Sequence, residues 1–234
     1  MSQLATSGFL DRLKALYPSR PSDDIWKNPW YIVALVAFNA SNEPEAVPIL
    51  FQHVLQSVDT HEDRLLLARK FRDALYKSSV TSGFAKGINS LVALDKVMPE
   101  ELKDKEMTRS PRSTSLAEYE TRGQNFFRSI YGETADTVQN LLDGIYPDLG
   151  YFSNTIAYGM IYGFTEILTP LESSYTLVGT LIASDTPRQV NWHLQGARRL
   201  GASVEEVRAV RQIAMEVSKL CGVKWKDGVP ELQE

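Results

Sequence analysis

Cysteine is almost missing from this chain. Cys221 stands alone among 234 residues, which excludes an intramolecular disulfide and any thiol pair, redox-active or zinc-binding, and points to a reducing compartment. Histidine is nearly as scarce. His53, His61 and His193 are too scattered to form a ligand set and no H-E-x-x-H occurs, so no metal is expected. No glycine-rich phosphate loop follows a strand, and no cofactor is expected. Basic residues show no excess: 25 Lys and Arg against 29 Asp and Glu leave a formal charge of −4, with no stripe to neutralise phosphates, so nucleic acid is not an expected partner.

Long apolar runs are absent too. Nothing could span a bilayer, and the opening MSQLATSGFLDRLKALYPSRPSDD has no signal-peptide core. Its helical stripe of Phe9, Leu10, Leu13 and Leu16 leaves organelle targeting open, to the mitochondrion or the peroxisome, although the terminal ELQE is not a peroxisomal tripeptide. A soluble intracellular protein is expected, in the cytoplasm first.

What the chain does have is helical periodicity. Apolar residues recur at three and four positions almost throughout, alternating strand-like runs are scarce, and the fold class is all-α. Asp23 or Asp24 caps a helix running to about Asn39, Pro44 opens another, and Thr60 caps a third through Leu65 to Lys77. Shorter helices are expected over 84–96 and 99–105. The polar, proline-containing MTRSPRSTS at 107–115 reads as a linker. Beyond it, helices are expected over 116–131, 135–142, 148–164, 170–183 and 204–220, with the helix of His193 before the last. The two sides share an order of elements, which predicts a tandem duplication: a degenerate repeat over 1–106, the linker over 107–115, and a second repeat over 116–234. Aligning the sides sets Lys86 roughly opposite His193.

The stretch SDTPRQVNWHLQGARRLG raises the functional question. Thr186, Pro187 and Gln189 form a start signal with a capping box, Gly201 ends the helix, and Ser203 with Glu206 starts the next. Val190, His193, Ala197 and Leu200 share one face with Gly196 beside them, where a helix or a ligand can approach the backbone, while Trp192 and Arg188 point elsewhere. A histidine there is either a core residue satisfied by a carbonyl or carboxylate, or the lining of a pocket, where titration near neutrality suits proton transfer. Periodicity leaves both open.

From about Arg122 to Val223 the chain resembles the carboxymuconolactone decarboxylase family, which includes alkylhydroperoxidase-like proteins. The stretches that carry this are RGQNFFRSIYG, IAYGMIYGFTEILTPLESS and WHLQGARRLGASVEEV, and the two-repeat fungal members are the most similar. The resemblance implies an alkylhydroperoxidase-like helical bundle that assembles into dimers, trimers or hexamers. Peroxidases of that family use a Glu, a Cys-x-x-Cys pair and a His. Here the thiol positions hold Thr186 and Gln189, the glutamate position holds Ser174, and the first repeat has Ser79 and Ser82 where thiols would stand. Without a thiolate there is no peroxidatic nucleophile at this site.

Decarboxylase members need no redox pair, and the expected activity is thiol-independent proton transfer, decarboxylation or isomerisation, on a small carboxylated or lactone-like metabolite. His193 is the expected catalytic residue, with Glu172 as orienter or second acid/base and Tyr158 and Tyr162 as hydroxyl donors. The alternatives at these positions are core packing for the tyrosines and a first-turn carboxylate favoured by the helix dipole for Glu172. Arg188, Gln189 and Gly196 are the expected substrate contacts, and Arg128 is a further candidate. The competing function is a non-catalytic oligomeric scaffold or binding protein, for which Trp26, Trp30, Tyr31, Phe126, Phe127 and Phe152 supply interface aromatics. A weaker alternative is peroxide reduction through Cys221. A small-molecule substrate and further copies of the chain are the expected partners.

Overall fold

The computed structural model describes residues 4–19, 24–109 and 114–233, and every regular element among them is helical. The helices are α1 (Ser7–Leu16), α2 (Trp30–Ala40), α3 (Ala46–Leu55), α4 (His61–Ser82), α5 (Phe84–Asp95), α6 (Leu116–Tyr131), α7 (Ala135–Ile145), α8 (Pro147–Tyr151), a π-helix (Phe152–Tyr162), α9 (Pro170–Ala183), α10 (Pro187–Arg199) and α11 (Val204–Leu220). The expected all-α class is what the chain adopts.

Two helices make the centre. Every residue of α2 is buried, as is every residue of α9 from Glu172 onward, and a helix apolar all round must be enclosed by others. α9 packs against α2, α4, α10 and α11. Buried side chains from both sides of the expected linker join one core.

The start signals are partly as expected. Thr60 accepts from the Asp63 N–H, and Ser203 with Glu206 forms a capping box. Asp24 caps only a short 3-10 turn, Ile25–Lys27, so α2 begins later, at Trp30 after Pro29; Asp23 lies outside the described residues. The expected helix over 99–105 is a single 3-10 turn, Glu100–Leu102. No capping box forms at Thr186: its hydroxyl donates to the Leu181 carbonyl instead, 3.0 Å away. The box in this region belongs to α9, where Thr169 and Glu172 cap each other.

The helix expected over 148–164 changes its winding. After α8 it runs as a π-helix, with the Gly163 N–H bonded to the Tyr158 carbonyl at 2.8 Å, a winding that is rare and concentrated at functional sites. It lies against α6 at backbone distance. A Cβ at Gly123 would come within 2.0 Å of the Asn154 carbonyl oxygen, and one at Gly159 within 2.1 Å of the Tyr119 carbonyl oxygen. These two glycines let the π-helix hold its tyrosines over the end of α6.

Candidate active site

Three elements bring polar side chains to one buried point. The C-terminal turn of α6 supplies Tyr131, the π-helix supplies Tyr158, and α10 supplies His193, which is 3% exposed. The Tyr158 hydroxyl donates to the Tyr131 oxygen at 3.3 Å, and the Tyr131 oxygen lies 3.4 Å from His193 Nε2, with the Tyr158 oxygen at 3.5 Å. Phe127 and Trp192 close the cluster, their rings 4.3 and 5.9 Å from that of Tyr131. Trp192, expected to point away, is therefore part of it.

The electrostatics are those of a dry site. Burial lowers the His193 pKa to about 4 and raises those of Tyr131 and Tyr158, because low dielectric disfavours every charged form. All three are neutral at pH 7, and titration near neutrality, one expectation for His193, does not occur. The hydroxyls run in one direction, Tyr158 to Tyr131 to Nε2, so the matching tautomer has Nε2 accepting and the hydrogen on Nδ1. Nδ1 is buried and has no hydrogen-bond partner. An orphan donor of this kind costs about 1–3 kcal/mol.

Tyr162 sits one step away, its ring 5.3 Å from that of Tyr158, and its hydroxyl pairs with Thr81 of α4 at 3.0 Å. Glu172 is not part of the cluster. Both its oxygens lie 2.6 Å from Lys70 Nζ, and one also accepts from the Thr169 N–H at 2.9 Å. It is a helix cap and one half of a buried ion pair, in keeping with the first-turn alternative.

Of the expected substrate contacts, Arg188 is exposed in the first turn of α10 and Gln189 is half-buried. The space beside Gly196 is filled: an added Cβ would lie 2.8 Å from Ile130 Cγ2. Arg128 is exposed and paired with Asp136 at 2.7 Å. Lys86, aligned with His193 from the first half, donates to the Ala40 carbonyl at 2.6 Å. Ser174, at the family's glutamate position, is buried with its hydroxyl unpartnered. The Cys221 thiol is pushed up to about 12, by burial first, which leaves little thiolate for peroxide chemistry.

Sequence reasoning passed over Tyr131 and a second buried polar centre. In the latter, Lys77 of α4 is enclosed with its ammonium 2.6 Å from Ser173 Oγ, 2.8 Å from the Phe164 carbonyl and 3.4 Å from Asp73, which Arg109 also binds. The signal was present, since Lys70, Asp73 and Lys77 recur on the period of Leu67, Phe71 and Ala74.

No family profile matches the chain. It is similar to Peroxisomal protein 2 of Schizosaccharomyces pombe, 32% identical over 204 residues that cover 86% of this chain and 91% of that protein. Peroxisomal protein 2 of Saccharomyces cerevisiae is 28% identical over 289 residues, 99% of this chain and 100% of that protein.

Proposed function

The chain belongs to the Peroxisomal protein 2 family, and from that premise we propose a peroxisomal enzyme in which His193 stabilises charge on a substrate oxygen. The relatives' names support the compartment, in place of the cytoplasm expected first. Among the described residues no helix is long and apolar enough to cross a membrane.

The observation that carries the catalytic reading is the unpartnered Nδ1 of a histidine whose other nitrogen is already engaged. Held in the donor tautomer, Nδ1–H offers a neutral, preorganised hydrogen bond to an oxygen that gains charge, such as the enolate left when a carboxylate departs as carbon dioxide or when an α-proton is removed. A low-dielectric site strengthens that bond. The fitting substrates are the small carboxylated or lactone-like metabolites that the carboxymuconolactone decarboxylase resemblance implies, with decarboxylation or isomerisation as the reaction. His193→Gln and Tyr131→Phe are expected to cut turnover of such a substrate by about a hundredfold with the fold intact. Unchanged turnover in His193→Gln would overturn the reading.

A second reading, an assembly scaffold, is favoured by large apolar side chains left at the surface. Phe84, Ile88 and Val92 form a stripe along α5, and Leu141, Ile145, Tyr146, Tyr151 and Phe152 cluster around α7 and α8, an exposure typical of interaction faces. Sedimentation decides it: a monomer at micromolar concentration excludes self-assembly through these faces.

A further inference from the structure

His193 and its tyrosines are buried, and a cleft of about 680 Å³ opens beside them past Phe126, within the range of about 300–1,000 Å³ that holds small molecules. One face of α6 forms the floor and the segment 163–170 with Leu200 forms the opposite side. Phe126 joins the two regions. It lines the cleft, and its ring lies 6.2 Å from that of Tyr158.

The chemistry of the cleft is specific. Phe126, Pro170 and Leu200 supply apolar surface, and Arg122 is the cation in the lining. The Arg122 guanidinium lies over the Tyr119 ring at 5.5 Å, and among the described residues no carboxylate is hydrogen-bonded to it. Glu118, one turn before it and also in the lining, accepts through one oxygen from the Ser115 N–H at 2.6 Å and the Ser115 hydroxyl at 2.8 Å, and its charge also acts on Arg122. The site therefore pairs one fork-shaped cation, able to take a planar anion through two hydrogen bonds, with an apolar bed.

We propose that this cleft binds a monocarboxylate with an apolar body, its carboxylate on Arg122 and its body against Phe126 and Leu200. With Glu118 in the same lining Arg122 carries no excess positive charge, which disfavours a doubly charged phosphate more than a singly charged carboxylate. The ligand class deepens the catalytic reading and rests on it only for what happens after binding.

Isothermal titration with 4-phenylbutyrate, and with uncharged 4-phenylbutanol as the control, tests the site without turnover. Wild type is expected to bind the acid about ten-fold or more tightly than the alcohol. Arg122→Gln, which keeps the aliphatic stem, and Thr121→Asp, which sets a like charge on the exposed face beside it, are each expected to weaken the acid by about ten-fold; circular dichroism checks their fold. His193→Gln is expected to bind the acid as wild type does, even where turnover is lost. No binding of the acid at millimolar concentration, equal binding of the alcohol, wild-type affinity in Arg122→Gln, or loss of binding in His193→Gln would each overturn the cleft as the site. Failure of the catalytic reading alone would leave the binding results intact.

Discussion

The protein buries two polar centres, and they are built on opposite terms. Around α4 and α9 the centre is charged and paired. Lys70 meets Glu172, Lys77 meets Asp73, Ser173 and the Phe164 carbonyl, and Arg109 closes on Asp73. Around α6, the π-helix and α10 the centre is neutral: two tyrosines and a histidine joined by long hydrogen bonds of 3.3 to 3.5 Å, with Nδ1 left over. The first centre ties side chains from the two halves of the chain to one another. The second gains little from its own contacts and leaves Nδ1 of a neutral ring unpartnered, whereas the unpartnered atoms of the first, Asp73 Oδ2 and Arg109 Nε, belong to groups that meet an opposite charge. Opposite charges buried against one another make a structural lock, and a neutral ring with an unpartnered donor is the place to look for chemistry.

Breaking the lock gives the largest expected effect. Asp73 faces Lys77 and Arg109 at once, so Asp73→Asn leaves two cations without their counter-ion, and removing one partner of a buried pair costs about 3–5 kcal/mol. Denaturant unfolding at pH 7 measures it. A loss near 1 kcal/mol would erase the contrast between the centres. Burial lowers the Lys77 pKa to about 8 despite the pull of Asp73. The unfolded chain therefore holds more protons than the folded one between about pH 8 and the ordinary lysine range, and the Lys77 contribution to stability rises with pH there. Lys77→Met is expected to abolish that rise.

How far each region was legible in the sequence follows from the same contrast. The helices were readable because burial of one face imposes a period, and Ser203–Glu206 and Thr60 were readable because caps act within four residues. The neutral centre was half readable. His193 stands out as a polar residue on a small apolar face, and Tyr158 by its spacing, but Tyr131 meets them only where α6 packs on α10 and where Gly123 and Gly159 let the π-helix approach α6, contacts with no local sequence signature. The charged centre was unreadable as a unit. Lys70 and Glu172 are partners only once α4 packs on α9, and no period in either helix names its opposite number. Of the two expectations for Glu172, the place beside His193 fails for that reason and the first-turn carboxylate holds.

Acid titration sharpens the comparison at an intermediate magnitude. His193 has a pKa of about 4 when folded against the usual 6.5 when unfolded. Between those values the unfolded chain takes up a proton that the folded chain refuses, so this stability is present above about pH 6.5 and is lost as pH falls towards 4. The histidine is enclosed, and the loss amounts to about 3 kcal/mol. Unfolding free energies followed from pH 7 to pH 4 are expected to fall less steeply in His193→Gln than in wild type. Equal slopes would place the imidazole in contact with solvent.

The smallest expected effect is the most informative. His193→Gln at pH 7 exchanges an imidazole with one orphan nitrogen for an amide able to reach the same tyrosine hydroxyl, and the loss is expected to be no more than about 1 kcal/mol. A histidine satisfied on both sides would cost several. Near-neutrality here, beside a loss several times larger for Asp73→Asn, is the pattern of a site that trades stability for function. A large loss would mean that Nδ1 has a partner after all, and would return His193 to the core and the protein to the scaffold reading.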